Sequence, residues 1–159
     1  MTLVLFLIFL SAAGAAASTG MLFPTGEWYK SLRKPAWTPP DWAFPVVWTS
    51  IYLLISWAGA RVAFVPGAGL AMAFWAAQIA FNALWTPVFF GLRHWKASQI
   101  VMVGLWLAVF GATVTHFMVD FWAGVMFLPY LAWVTVAAAL NRAVVQLNPG
   151  QKPLEIHKL

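Results

Sequence analysis

Five stretches of this chain, at about 3–23, 42–64, 70–90, 98–119 and 122–144, carry no acidic or basic residue in their middle. Each can make one crossing of a hydrocarbon layer about 30 Å thick, which takes ~20 apolar residues at 1.5 Å rise per residue. Backbone N–H and C=O groups find no water in such a layer, so a single span must satisfy them internally, as an α-helix. The pattern predicts an all-α integral membrane protein built as a five-transmembrane-helix bundle. Composition agrees, because only 8% of the residues are charged and 63% are hydrophobic, whereas a soluble domain carries about 25% charged residues.

The breaks between spans have chemical causes. Pro24 and Gly26 stop the first, VPGAG (65–69) the second, GLRHWK (91–96) the third and VDF (119–121) the fourth. Residues 1–147 read as one transmembrane domain with a loop at 24–41, and the Pro-broken polar tail at 148–159 reads as loosely ordered. The first span admits a second reading. LVLFLIFLSAAGAAAS resembles the apolar core of a secretory signal followed by small residues that a peptidase cuts. No Lys or Arg precedes it and apolar character continues through GMLF, which favours a retained helix; a cleaved signal would leave four spans.

Lys and Arg divide unevenly between the two sides. The N-terminus and the second and fourth loops hold only Arg61, while Lys30, Arg33, Lys34, Arg93, Lys96, Arg142, Lys152 and Lys158 fall on the other side. By the positive-inside rule, loop one and the C-terminus face the cytoplasm if the membrane is a plasma membrane; inner versus outer membrane stays open. The net charge of +5 thus reports topology and not nucleic acid, which needs a basic face on a soluble fold. The chain has no cysteine, which excludes disulfides, thiolate metal sites and cysteine nucleophiles. No zinc set, nucleophilic triad, phosphate loop or paired-carboxylate pattern is present, so no metal or obligatory cofactor is expected. Lack of intramembrane charge and an odd number of spans weigh against an ion-coupled transporter.

Tryptophan is the other outlier, with eleven residues. The stretch WYKSLRKPAWTPPDWAFPVVWTSIY, 28–52, holds Trp28, Trp37, Trp42 and Trp48 together with Pro35, Pro39, Pro40 and Pro45. The first three prolines hold the backbone extended or turned, and the indoles suit an interface that is apolar on one side and wet on the other. Lys30, Arg33 and Lys34 can meet lipid phosphates or ligand carboxylates there.

Depth brings more aromatics together. Trp48 lies ~9 Å into the second span and Tyr52 one turn further on the same face. Trp85 and Asn82 stand ~9–14 Å from the same end of the third span, with Gln78 a turn deeper, and Ala137 and Trp133 ~10–17 Å from the end of the fifth, with Tyr130 on their stripe. An amide in lipid is costly unless paired or facing a cavity. Either these groups pack helices together, with Asn82 and Gln78 bonded to a neighbouring backbone, or they wall a pocket for a large flat hydrophobic ligand beneath a lid formed by 24–41. So many rings at one level favour the pocket.

The same residues resemble a known family. WYKSLRKPAWTPP, FPVVWTSIY, AQIAFNALWTPVFFG and LPYLAWVTVAAALN, in that order over nearly the whole chain, are similar to the tryptophan-rich sensory protein and translocator protein family, the peripheral-type benzodiazepine receptors. The resemblance implies a five-helix bundle whose first loop caps a pocket. It implies binding of porphyrins and haem, with cholesterol and benzodiazepine-type drugs bound by animal relatives, and a role in tetrapyrrole control or in light- and oxygen-dependent breakdown of protoporphyrin IX. It carries pocket roles onto Tyr29, Trp37, Trp48, Tyr52, Asn82, Trp85, Trp133 and Ala137, with Trp48, Tyr52 and Trp133 as electron donors if the chemistry is photochemical. The animal sterol motif is not matched, because the first cation after Tyr130 is Arg142, and that pattern is weak in any case.

Small residues recur at helical spacing as Ala12, Ala16 and Gly20, and as Gly69, Ala73 and Ala77. Such faces let helices approach closely. The resemblance implies homodimers, with the second stripe as the interface. His116 lies toward the far end of span four and is expected to pair with Asp120 one turn on; His94 and His157 lie in loop three and the tail, so none is expected to ligate haem iron. Pro87 and Pro129 are expected to bend their helices.

Overall fold

The computed structural model describes residues 2–154; His157 and Lys158 lie outside them. The helices are α1 Thr2–Leu22, α2 Gly26–Ser31, α3 Ala43–Val62, α4 Gly69–Thr86, α5 Trp95–Val119 and α6 Phe121–Leu147. All but α2 are long and apolar enough to cross a membrane, α4 doing so together with a π-helical turn over Pro87–Gly91. The five spans match the sequence expectation to within three residues at every boundary.

Proline chemistry explains the π turn. Pro87 has no N–H to give and its ring crowds the preceding turn. The ladder widens there, and the Leu92 N–H reaches the Pro87 carbonyl at 2.8 Å, a five-residue step. The chain then reverses through Arg93, a non-glycine residue at φ +52°. His94 starts α5, its Nδ1 accepting from the Ala97 N–H at 3.2 Å. At the other corner Asp120, with φ −150°, ends α5 and caps α6 by accepting from the Ala123 N–H at 2.7 Å.

The spans close a ring in the order α1, α3, α6, α5, α4 and back to α1. The α4–α5 seam is built from ring-into-notch contacts: Phe74 lies on Gly111 and Phe81 on Gly104, seven residues apart on both helices. A Cβ at Gly104 would stand 2.5 Å from Phe81 Cε1, so only glycine lets the two backbones come this close. On the side away from loop one, Arg61 Nε and Nη2 donate to the two Asp120 oxygens at 3.0 and 2.7 Å. This corrects the expected His116–Asp120 pair. The guanidinium fork matches a carboxylate with two bonds, which an imidazole cannot do, and buried His116 instead turns its Nδ1 to the Ala112 carbonyl at 2.7 Å.

Loop one is not irregular throughout. Trp28 and Tyr29 on α2 pack against Phe89, Phe90 and Trp95, with the Arg93 guanidinium 4.8 Å from the centre of the Trp28 ring. Nor is the described part of the tail loose. Trp28 Nε1 donates to Gln151 Oε1 at 3.1 Å, Trp95 Nε1 to the Gln151 carbonyl at 3.2 Å, and the Leu154 N–H to the Leu92 carbonyl at 2.9 Å. Polar composition suggested a free tail, but partners on α2 and the α4–α5 corner hold Gln151 and Leu154.

Candidate functional site

Beneath loop one the ring of helices lines a partly open cavity of about 800 Å³, within the ~300–1,000 Å³ usual for small-molecule sites. The second span supplies Phe44, Trp48 and Tyr52, the third Asn82, Trp85 and Phe89, and the fifth Trp133, Ala137 and Asn141. The first contributes small side chains, Gly14, Ala17 and Gly20 among them, and Tyr29, Lys30, Lys34 and Asp41 stand at the loop end. Helical rise explains the convergence, since residues at similar distances from the loop end of each span fall at one level.

The rings lean on one another. Trp48 stacks on Tyr52 at 5.4 Å and meets Tyr130 edge-on at 5.8 Å; Trp85 stacks on Phe89 at 5.1 Å, and Trp133 meets Phe44 edge-on at 5.5 Å. Such pairs fix each ring's angle and contribute about 0.5–1.5 kcal/mol beyond area burial. At the floor, the Tyr52 hydroxyl donates to Asn82 Oδ1 at 3.1 Å and Asn82 Nδ2 donates to the Tyr130 hydroxyl at 2.7 Å. Asn82 is therefore paired with side chains from two other helices and not with a neighbouring backbone. Gln78, a turn deeper, is fully buried outside the cavity wall, and its amide has no partner among the described residues.

The loop end carries the charge. Lys30 is paired with Glu27 at 2.7 Å, both well exposed. Lys34 Nζ lies 4.0 Å from the centre of the Tyr29 ring, a cation–π contact. Burial, and then the Asp41 carboxylate, push the Tyr29 phenol up, so it stays a neutral hydrogen-bonding group at physiological pH. Among the described residues no group of three or more His, Asp or Glu side chains is placed to hold a metal ion.

Of the residues singled out from sequence, Tyr29, Trp48, Tyr52, Asn82, Trp85, Trp133 and Ala137 all line this cavity. Trp37 does not. A turn closed by the Thr38 N–H on the Pro35 carbonyl at 3.0 Å leaves the indole outside the wall, 52% exposed. Sequence reasoning missed Asn141, although it continues the Trp133–Ala137 stripe by one more offset of four. It also missed Phe44 and Phe89, whose signal was only their position beside the Trp-rich loop.

A ring of five helices long and apolar enough to cross a membrane, around an aromatic cavity beneath a short helix and a proline-stiffened loop, defines a small multi-pass membrane protein. The model of the TspO/MBR family matches residues 2–147, and the chain belongs to that family. It is 49% identical to Protein CrtK of Rhodobacter capsulatus over 98% of this chain and 100% of that one. It is 51% identical to a tryptophan-rich sensory protein of Cereibacter sphaeroides over 91% of each, and 31% identical to the human translocator protein over 89% of each.

Proposed function

We propose that this protein is a membrane receptor or carrier that binds porphyrins and related tetrapyrroles, haem and protoporphyrin IX among them, beneath the loop-one lid. The observation that carries the reading is the set Trp48, Tyr52, Trp85 and Trp133 around one cavity of about 800 Å³. Flat faces on several walls, with few polar atoms, suit a broad, flat, hydrophobic molecule. Relatives named translocator protein and tryptophan-rich sensory protein support transport or sensing as the setting. In a plasma membrane the cationic loop end faces the cytoplasm. Two copies pair through α4, where Gly69 and Ala73 are exposed and Ala77 half-buried.

Protoporphyrin IX added to the purified protein should quench tryptophan fluorescence saturably. Trp48→Ala, still folded, should weaken binding by about tenfold or more, the equivalent of ~1.4 kcal/mol. Undiminished affinity in that variant would put the site elsewhere.

A second reading is light-driven breakdown of the bound porphyrin. It is favoured by the Trp48–Tyr52 stack on the cavity wall, from which an excited porphyrin can take an electron, with dioxygen as the oxidant. Decay of porphyrin absorbance under light should then be faster than in detergent alone and slowed in Trp48→Phe. Equal rates would reject it.

A further inference from the structure

Asn82 is the polar residue that the sequence offers to a ligand, yet its carboxamide is already engaged on both atoms, by Tyr52 and by Tyr130. Asn141 is in the opposite condition. It lines the cavity, is 3% exposed, and its Oδ1 has no hydrogen-bond partner among the described residues. A buried amide oxygen without a donor destabilises the protein that carries it. Gln78 is unpaired too but lies outside the wall, whereas Asn141, like the Trp85 and Trp133 indoles whose N–H groups are also unpartnered among the described residues, borders the cavity, where an entering molecule can supply the missing bond.

Position says what that group is. Asn141 stands six residues before the end of α6 at Leu147, ~9 Å deep on the lid side. Lys34 lines the same end of the cavity, resting on Tyr29, while Lys30 is taken up by Glu27. A carboxamide answers a carboxyl group with two parallel bonds: Nδ2 donates to the acid's carbonyl oxygen and the acid's hydroxyl donates to Oδ1. An ionised carboxylate keeps the first bond and takes the Lys34 ammonium as its second partner.

We propose that Asn141 is the polar anchor of the cavity, selecting flat hydrophobic molecules that carry a carboxyl group and seating them with that group toward the lid. The inference rests on the cavity-binding reading above and divides the labour within it: Asn82 builds the floor, and Asn141 reads the ligand.

The test uses two probes, protoporphyrin IX and its dimethyl ester, which differ only at the carboxyl groups. Each is titrated by tryptophan fluorescence into the wild type and into Asn141→Leu, Asn141→Asp, Lys34→Met and Trp48→Ala. The wild type should prefer the free acid by about tenfold. Asn141→Leu should lose that preference, weaken the ester far less than the free acid because the ester keeps only the carbonyl acceptor, and unfold at the same or a higher temperature than the wild type, since it removes a buried amide oxygen without a donor. Asn141→Asp should lose free-acid binding furthest, because it replaces a donor with a like charge, and Lys34→Met should weaken the acid alone. A retained acid preference in Asn141→Leu overturns the proposal. So does equal weakening of both probes with a lowered Tm, which would mark a packing residue. If the wild type binds neither probe, or Trp48→Ala alters neither, the cavity reading itself fails and takes this one with it.

Discussion

Asn148, just beyond α6, grips both main-chain groups of Arg33 in loop one: the Arg33 N–H donates to its Oδ1 at 3.0 Å, and its Nδ2 donates back to the Arg33 carbonyl at 2.9 Å. The same Nδ2 also donates to the Val144 carbonyl at 2.7 Å. Loop one is thereby tied to the helix that carries Trp133 and Ala137. Asn148→Ala removes both bonds to Arg33, each contributing about 1 kcal/mol. Amide hydrogen exchange over residues 26–34 should accelerate about tenfold or more while α4 is unaffected. Unchanged exchange would show that loop one is held by its aromatic contacts alone.

The Tyr52–Asn82–Tyr130 chain should be a structural requirement. Asn82→Leu leaves two phenols without their partner in an apolar setting, at about 1–3 kcal/mol for each unsatisfied group. A clear fall in Tm is expected in detergent, with a smaller fall for Asn82→Asp, which still accepts from Tyr52. A Tm equal to wild type in Asn82→Leu would mean that water replaces the amide at little cost.

Gly104 and Gly111 should tolerate nothing larger. A methyl group at Gly104 meets the Phe81 ring well inside van der Waals contact, so Gly104→Ala should destabilise the bundle by about 1–3 kcal/mol as the α4–α5 seam opens. Adding Phe81→Leu should recover part of the loss. Absence of rescue would place the strain elsewhere.

The Arg61–Asp120 pair gives the protein an acid limit. The Arg61 hydrogen bond holds the Asp120 carboxyl below its usual range. Its folded pKa therefore lies under the ~3.9 of an unfolded aspartate, and the contribution is complete above that value and lost as falling pH passes through the folded pKa. Both side chains are partly exposed, at 34% and 25%, so screening keeps the effect modest. Wild-type Tm should fall more steeply with acidification below about pH 4 than that of Asp120→Asn. Parallel curves would remove the pair from the account of acid stability.

The proposed pairing through α4 is open to a direct check, since the chain has no native cysteine. Ala73→Cys should cross-link two copies under mild oxidation, and Leu107→Cys, on the exposed face of α5, should not. The reverse result would move the interface to α5.

Much of this was legible because two periodicities dominate a membrane chain. The length of each apolar run gave the spans, and the rise per residue placed Trp48, Asn82, Trp85 and Trp133 at one depth. What could not be read depends on partners far away in the chain. The choice of Asp120 between His116, one turn off, and Arg61, on another span, is settled by how α3 meets the α5–α6 corner. Trp37 sits in the right motif, but a local turn at Pro35–Thr38 leaves it outside the wall. The tail's hold on Trp28 and Arg33 has no sequence signal at all, because Asn148 and Gln151 look like any polar residues past a helix end.

Gly20 and Met21 on α1, and Pro45 and Thr49 on α3, border the cavity and are exposed, between two spans that neighbour each other in the ring. If the cavity opens between α1 and α3 to the acyl chains and binds as proposed, its occupancy follows the mole fraction of ligand dissolved in the surrounding lipid more than the amount free in water. Two compounds with identical contacts inside would differ in apparent potency by their oil–water partition ratio. The same compound would rank differently in a detergent micelle and in a cell membrane.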